Sequence, residues 1–127
     1  SFEPKLTDLK VGSYLGTNEL QVAIGPEFEL LTENQKIGLF EKPFTISKEN
    51  NRMAYQLEEQ IDEHTITMLT SATLPGTVQL TPSGKLIVLM KDGQTTGGYP
   101  RILQLNKEAI SILAQKKAGD SVRFVRN

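Results

Sequence analysis

The sequence predicts a small, mainly β domain: a barrel or compact antiparallel sheet carrying two short helices. Three observations predict it. Short apolar–polar alternations recur along the chain, Gly/Pro turns interrupt them, and only two segments carry helix signals. The 127 residues suit one domain with one core.

Residues 1–19 read as an N-terminal arm and the approach to the first strand, the first nine poor in apolar side chains. Residues 20–127 form the domain. Leu20 to Ile24 alternates as a half-buried strand does, and Gly25-Pro26 stops it. Thr32 with Gln35 three residues on forms a capping box, predicting a helix that buries Ile37, Leu39 and Phe40 and ends before Pro43. Phe44 to Ile46 predicts a strand, Lys48 to Asn51 a turn, and Tyr55 to Leu57 another strand. Thr65 to Leu69 is β-rich by propensity. Thr77 to Leu80 and Leu86 to Met90 are strands joined by the turn Pro82 to Lys85, the second reading as buried on both faces. Arg101 to Leu105 is a strand. Asn106 then caps a helix with Ile110, Leu113 and Ala114 on its inner side, and Gly119-Asp120 turns into the strand Ser121 to Val125. The helices are expected to plug barrel ends or cover an edge.

Composition narrows the function. Fourteen basic and 15 acidic residues give a net charge of −1, which offers no basic face for nucleic acid. The absence of cysteine excludes disulfides, thiolate metal sites and a cysteine nucleophile, and suits the reducing cytoplasm. The longest apolar run, Leu86 to Met90, is one strand long, against the roughly 20 residues needed to cross a bilayer as a helix. No positively charged start followed by an apolar stretch opens the chain, and its start at Ser1 suggests a piece of a longer protein.

Chemistry concentrates in one loop. Asp92 to Arg101 follows the most buried-looking strand, so its position is well fixed. Gln94 supplies an amide, Thr95 and Thr96 supply hydroxyls, and Tyr99 adds an aromatic wall with a polar tip. Gly97 and Gly98 permit positive φ and close approach to a ligand. Composition alone slightly favours a glycine-rich turn that satisfies its own backbone. Arg52 is a candidate clamp for a carboxylate or a solvated surface arginine. Gln79 alternates with Val78 and Leu80, so it lies on the opposite side and is a buried amide if that side is an interior or a cleft. His64, the one histidine, reads as a surface or turn residue, which leaves no all-histidine metal site. The carboxylates Glu58, Glu59, Asp62 and Glu63 read as a solvated acidic loop. No phosphate-loop motif and no Gly-x-Ser-x-Gly elbow is present. No catalytic residue stands out.

Three of these segments fall in the order of one family: Asn51-Arg52-Met53-x-Tyr55-x-Leu57, Pro75 to Leu80 with Pro82-Ser83-Gly84, and Gln94 to Ile102. With Val22-x-x-Gly25-Pro26-Glu27 and Pro43 to Ser47, the chain resembles the allophanate hydrolase subunit 2 family, also called biotin-dependent carboxyltransferase-like or Kip-antagonist-like. The resemblance implies a cyclophilin-like β-barrel and identifies this chain with the C-terminal half of a longer family domain. It implies work beside a subunit-1 partner (Kip-inhibitor-like) and, as in 5-oxoprolinase, a third subunit. The implied reaction is ATP-dependent hydrolysis of 5-oxoproline to glutamate, with no cofactor within this chain and ATP bound by the complete complex. Two other roles are implied by other members: a regulatory binding module of the Kip-antagonist type, and carboxyl transfer in a biotin-dependent urea or allophanate system. Under the first role, Arg52, Gln79, Gln94, Thr95, Thr96, Gly97, Gly98 and Tyr99 would line a site for a small amide or lactam. Ala54, Ser71 to Thr73 and Gly93 depart from the usual family pattern.

Overall fold

The computed structural model describes residues 17–93 and 95–127, so residues 1–16 of the arm expected over 1–19, and Gln94, lie outside the described residues. Nine strands are present among them: β1 (Glu19–Ile24), β2 (Phe44–Asn50), β3 (Ala54–Gln60), β4 (Ser71–Ala72), β5 (Thr77–Leu80), β6 (Lys85–Leu89), β7 (Thr96–Gly97), β8 (Arg101–Leu105) and β9 (Ser121–Arg126). Seven of them close a barrel in the order β1-β8-β5-β6-β3-β2-β9, and β4 and β7 pair separately as a short ribbon. Neighbours are antiparallel except for β1 and β9, whose parallel pairing closes the ring. The mainly β barrel with two helices expected from the sequence is therefore the fold.

Strand alternation fills the barrel. Val78 and Leu80 point inward from β5, Leu86 and Val88 from β6, Tyr55 and Leu57 from β3, and Leu20 and Val22 from β1; all are buried in one cluster. Phe44 and Phe124 stack at a tilt inside it, with ring centroids 5.6 Å apart. Each such side chain contributes about 1.5–3 kcal/mol on burial. The interior is therefore packed core, and any ligand site must lie elsewhere.

The first helix, α1 (Glu33–Glu41), starts on the predicted capping box: Thr32 Oγ1 accepts from the Gln35 amide at 3.1 Å, and Gln35 Oε1 accepts from the Thr32 amide at 2.8 Å. The second, α2 (Lys107–Ala114), is capped by Asn106, whose Oδ1 accepts from the Ala109 amide at 2.8 Å. Closure leaves no open edge in the barrel, so α1 packs on β9 and α2 on β1 and β8.

Several expectations need correcting. On α1, Ile37 is 52% exposed, whereas Gln35 is buried because its Nε2 donates to the Asp62 and Glu63 carbonyls at 3.1 and 3.2 Å. On α2, Ala109 and Ile112 are buried with Leu113, and Ala114 is exposed. Lys48 to Asn50 continue β2, and the turn comes later, where Asn51 Oδ1 accepts from the Met53 and Ala54 amides. Thr65 to Leu69 forms no strand despite its propensity, since the barrel closes without it. His64 instead pins that segment: its Nδ1 accepts from the Ile66 amide at 3.0 Å, which leaves Nε2–H to donate to the Leu80 carbonyl at 3.1 Å. Glu59 is likewise structural, accepting from the Thr45 amide and hydroxyl at 2.6 and 2.7 Å.

Candidate functional site

Gln79 organises the site. Its neighbours Val78 and Leu80 face the core, so its side chain takes the outer side of β5. The strand register then sets a row across the barrel wall: Arg101 on β8 beside Gln79 on β5, Ile87 on β6, and Gln56 on β3. Ala54 and Leu89, paired with each other, extend this floor. The β4–β7 ribbon provides the opposite wall, with Ser71 paired to Gly97 and Ala72 to Thr96. The ribbon is anchored at its base, where the Thr73 amide donates to the Thr95 carbonyl at 2.9 Å and the Leu80 amide donates to the Pro100 carbonyl at 3.1 Å.

Between floor and ribbon lies a cleft of about 260 Å³, lined by Gln56, Gln79, Ile87 and Leu89 below, Gly97, Gly98 and Tyr99 above, and Met53 and Ala54 at one end. Gln79 is only 3% exposed, and its Nε2 has no hydrogen-bond partner among the described residues. That atom lies directly against Gly97, close enough that a side chain on Gly97 would collide with it. A buried, unpaired amide donor costs about 1–3 kcal/mol. The Gln79 side chain also lines the cleft. None of the lining residues is ionisable near neutral pH, so the cleft suits an uncharged group that accepts a hydrogen bond.

A charged clamp sits beside the cleft. Arg101 donates through Nε and Nη2 to the two oxygens of Glu27 at 2.9 and 2.8 Å, its backbone amide donates to Glu27 Oε1 at 2.8 Å, and its Nη1 donates to the Ala72 carbonyl on the ribbon at 2.8 Å. The Arg101 hydrogen bonds hold the Glu27 carboxyl below its ordinary pKa although burial pushes the other way. The pair neutralises itself and fixes the ribbon.

The structure thus brings Gln79, Gly97, Gly98 and Tyr99 together. Thr95 and Thr96 lie on the exposed ribbon and outside the cleft lining. Arg52 is highly exposed, 3.7 Å from Asp92, beside a separate apolar groove that includes Tyr55, Met90 and Ile110. Neither Gly97 nor Gly98 takes the positive φ expected of them; their use is space, not backbone freedom. Sequence reading missed Met53, Ala54, Gln56, Ile87 and Leu89. Gln56 carried a usable signal, since it alternates between Tyr55 and Leu57 as Gln79 does between its neighbours. A larger depression of about 550 Å³ opens beside α1, but its Lys36 is already committed to Glu29 at 2.8 Å.

The fold and site define a closed β-barrel domain with an uncharged, amide-lined cleft on its outer wall. The chain belongs to the family of the carboxyltransferase domain, subdomain A and B, which it matches over residues 3–126. It is 36% identical over 118 residues to the 5-oxoprolinase C subunit of Escherichia coli (strain K12), a match covering 91% of this chain and 38% of that protein. It is 33% identical over 100 residues to the 5-oxoprolinase C subunit of Haemophilus influenzae, covering 77% and 32% respectively. The chain therefore spans well under half the length of these relatives. Its fold is similar to part of Kluyveromyces lactis urea carboxylase, with a TM-score of 0.77 at 16% identity over 85% of this chain and 11% of that one. Among the described residues no helix is long and apolar enough to cross a membrane, and no cluster of three or more His, Cys, Asp or Glu could hold a metal ion.

Proposed function

We propose that this chain is the ligand-binding barrel of a protein like the 5-oxoprolinase C subunit, acting in a multisubunit complex that hydrolyses 5-oxoproline to glutamate with ATP. The observation that carries the reading is the buried Nε2 of Gln79, without a partner among the described residues, in a side chain that lines an uncharged cleft. A lactam presents a neutral carbonyl oxygen, which this amide would hold and polarise as the ring C–N bond is opened by water. The relatedness to 5-oxoprolinase C subunits of two bacteria supports the choice of substrate. The residues lining the cleft offer no activated nucleophile, so the groups that bind ATP and activate the carbonyl belong to the remainder of the protein or to its partners, a subunit 1 and a third subunit. The working compartment of such a complex is the cytoplasm, where ATP is supplied.

The test is to assemble the full-length protein with its partner subunits and follow ATP-dependent glutamate release. Gln79→Met is expected to reduce turnover by about 10²-fold, the scale for losing one donor to a developing oxyanion. A wild-type complex without turnover sinks the substrate assignment. Undiminished turnover by Gln79→Met sinks only the role of Gln79.

A further inference from the structure

The two adjacent glycines of the ribbon meet quite different surroundings. A Cβ on Gly97 would run into Gln79 Nε2, and Thr73 Cγ2 lies 3.8 Å away. A Cβ on Gly98 would meet nothing within 4 Å among the described residues, although Gly98 lines the cleft. Gly98 does not have the left-handed φ that would exclude a side chain, so its backbone does not require glycine. Gly98 is exposed, and a side chain there would enter open space.

We infer that Gly97 and Gly98 have separate duties: Gly97 lets the ribbon close onto the Gln79 amide, and Gly98 keeps clear the volume that the ligand fills. Gly98 is then the position that sets ligand size. The inference deepens the lactam reading above and rests on it. The cleft is small, about 260 Å³ against the roughly 300–1,000 Å³ of sites for drug-sized ligands. A single added methyl group therefore takes up a meaningful share of the available space. Met53 and Tyr99, both exposed, line the same cleft.

The experiment is calorimetric titration of the full-length protein, assembled with its partner subunits, using two neutral lactams as probes: five-membered 2-pyrrolidinone and six-membered 2-piperidone. Gly98→Ala is expected to melt with the wild type and to weaken 2-pyrrolidinone by about tenfold, a change of about 1.4 kcal/mol. It should weaken 2-piperidone further, and Gly98→Val should bind neither. Gly97→Ala should weaken both lactams to a similar degree, since its Cβ pushes aside the Gln79 amide. Wild-type affinities in Gly98→Val overturn the inference, as does a Gly98→Ala variant that melts well below the wild type. A wild-type protein that binds neither lactam also overturns it. Lactam binding without turnover of 5-oxoproline refutes the proposed reaction and leaves the size-setting role standing.

Discussion

The Glu27–Arg101 pair permits a prediction whose sign and size both follow from geometry. Glu27→Gln keeps the shape of the side chain but replaces one carboxylate oxygen with an amide donor. One of the two guanidinium bonds, at 2.9 and 2.8 Å, then becomes a donor facing a donor. The side chains of Arg101 and Glu27 are 21% and 14% exposed, so the pair is sheltered but still reached by water. It therefore exceeds the roughly 0–1 kcal/mol of an exposed pair, and about 1–3 kcal/mol is the expected loss for hydrogen bonds to a charged group. In a domain of this size that lowers the melting midpoint by about 5–12 °C at pH 7. The pH dependence gives a second check. Glu27 has a folded pKa below its ordinary value, so its contribution is complete above the ordinary pKa and disappears as pH falls through the folded one. The gap between wild type and variant should therefore close on acidification. Circular dichroism melts across a pH series measure both. A Glu27→Gln midpoint within about 2 °C of wild type at pH 7, or a gap that widens toward low pH, refutes the reasoning.

Two further changes probe the site and the frame. Gln79→Met removes an unpaired buried donor at nearly constant length, so urea denaturation should find stability unchanged or raised by up to about 1–2 kcal/mol even as turnover falls. A loss of more than about 1.5 kcal/mol there would show that the amide has a partner after all. Gly84, at φ +95°, closes the β5–β6 turn against the Ile61 carbonyl, where an added Cβ would collide. Gly84→Ala should cost at least about 2 kcal/mol, and an unaltered urea midpoint contradicts that.

What was legible in the sequence was mostly local. The Thr32–Gln35 box and the Asn106 cap each involve residues three apart, and both form as expected. The β5–β6 hairpin was readable from alternation and its Pro82-Ser83-Gly84 turn. Burial on α1 was not, because the contacts of Gln35 with Asp62 and Glu63 lie 27 and 28 residues away and leave Ile37 outside. The parallel β1–β9 closure joins strands from the two ends of the domain, and no local pattern announces it. Similarly, Gln79 was visible as an outward amide, but its alignment with Ile87 and Gln56 exists only in the strand register. Arg52 looked like a partner for Gln79 because charge is legible while direction is not; the Asn51 turn carries it toward Asp92.

The row of Gln79, Ile87 and Gln56 alternates, residue by residue, with side chains that fill the barrel. Under the proposed function, a substitution in that row would change what the cleft accepts without replacing an inward-facing side chain, whereas a one-residue slip of β5 would exchange Gln79 with its apolar neighbours and destroy both at once. On that reading, ligand preference is free to drift by point substitution on the outer wall. It is poorly tolerant of insertions or deletions within the strands, and lineages adapting to a new ligand should differ along this row and in the ribbon rather than in strand length.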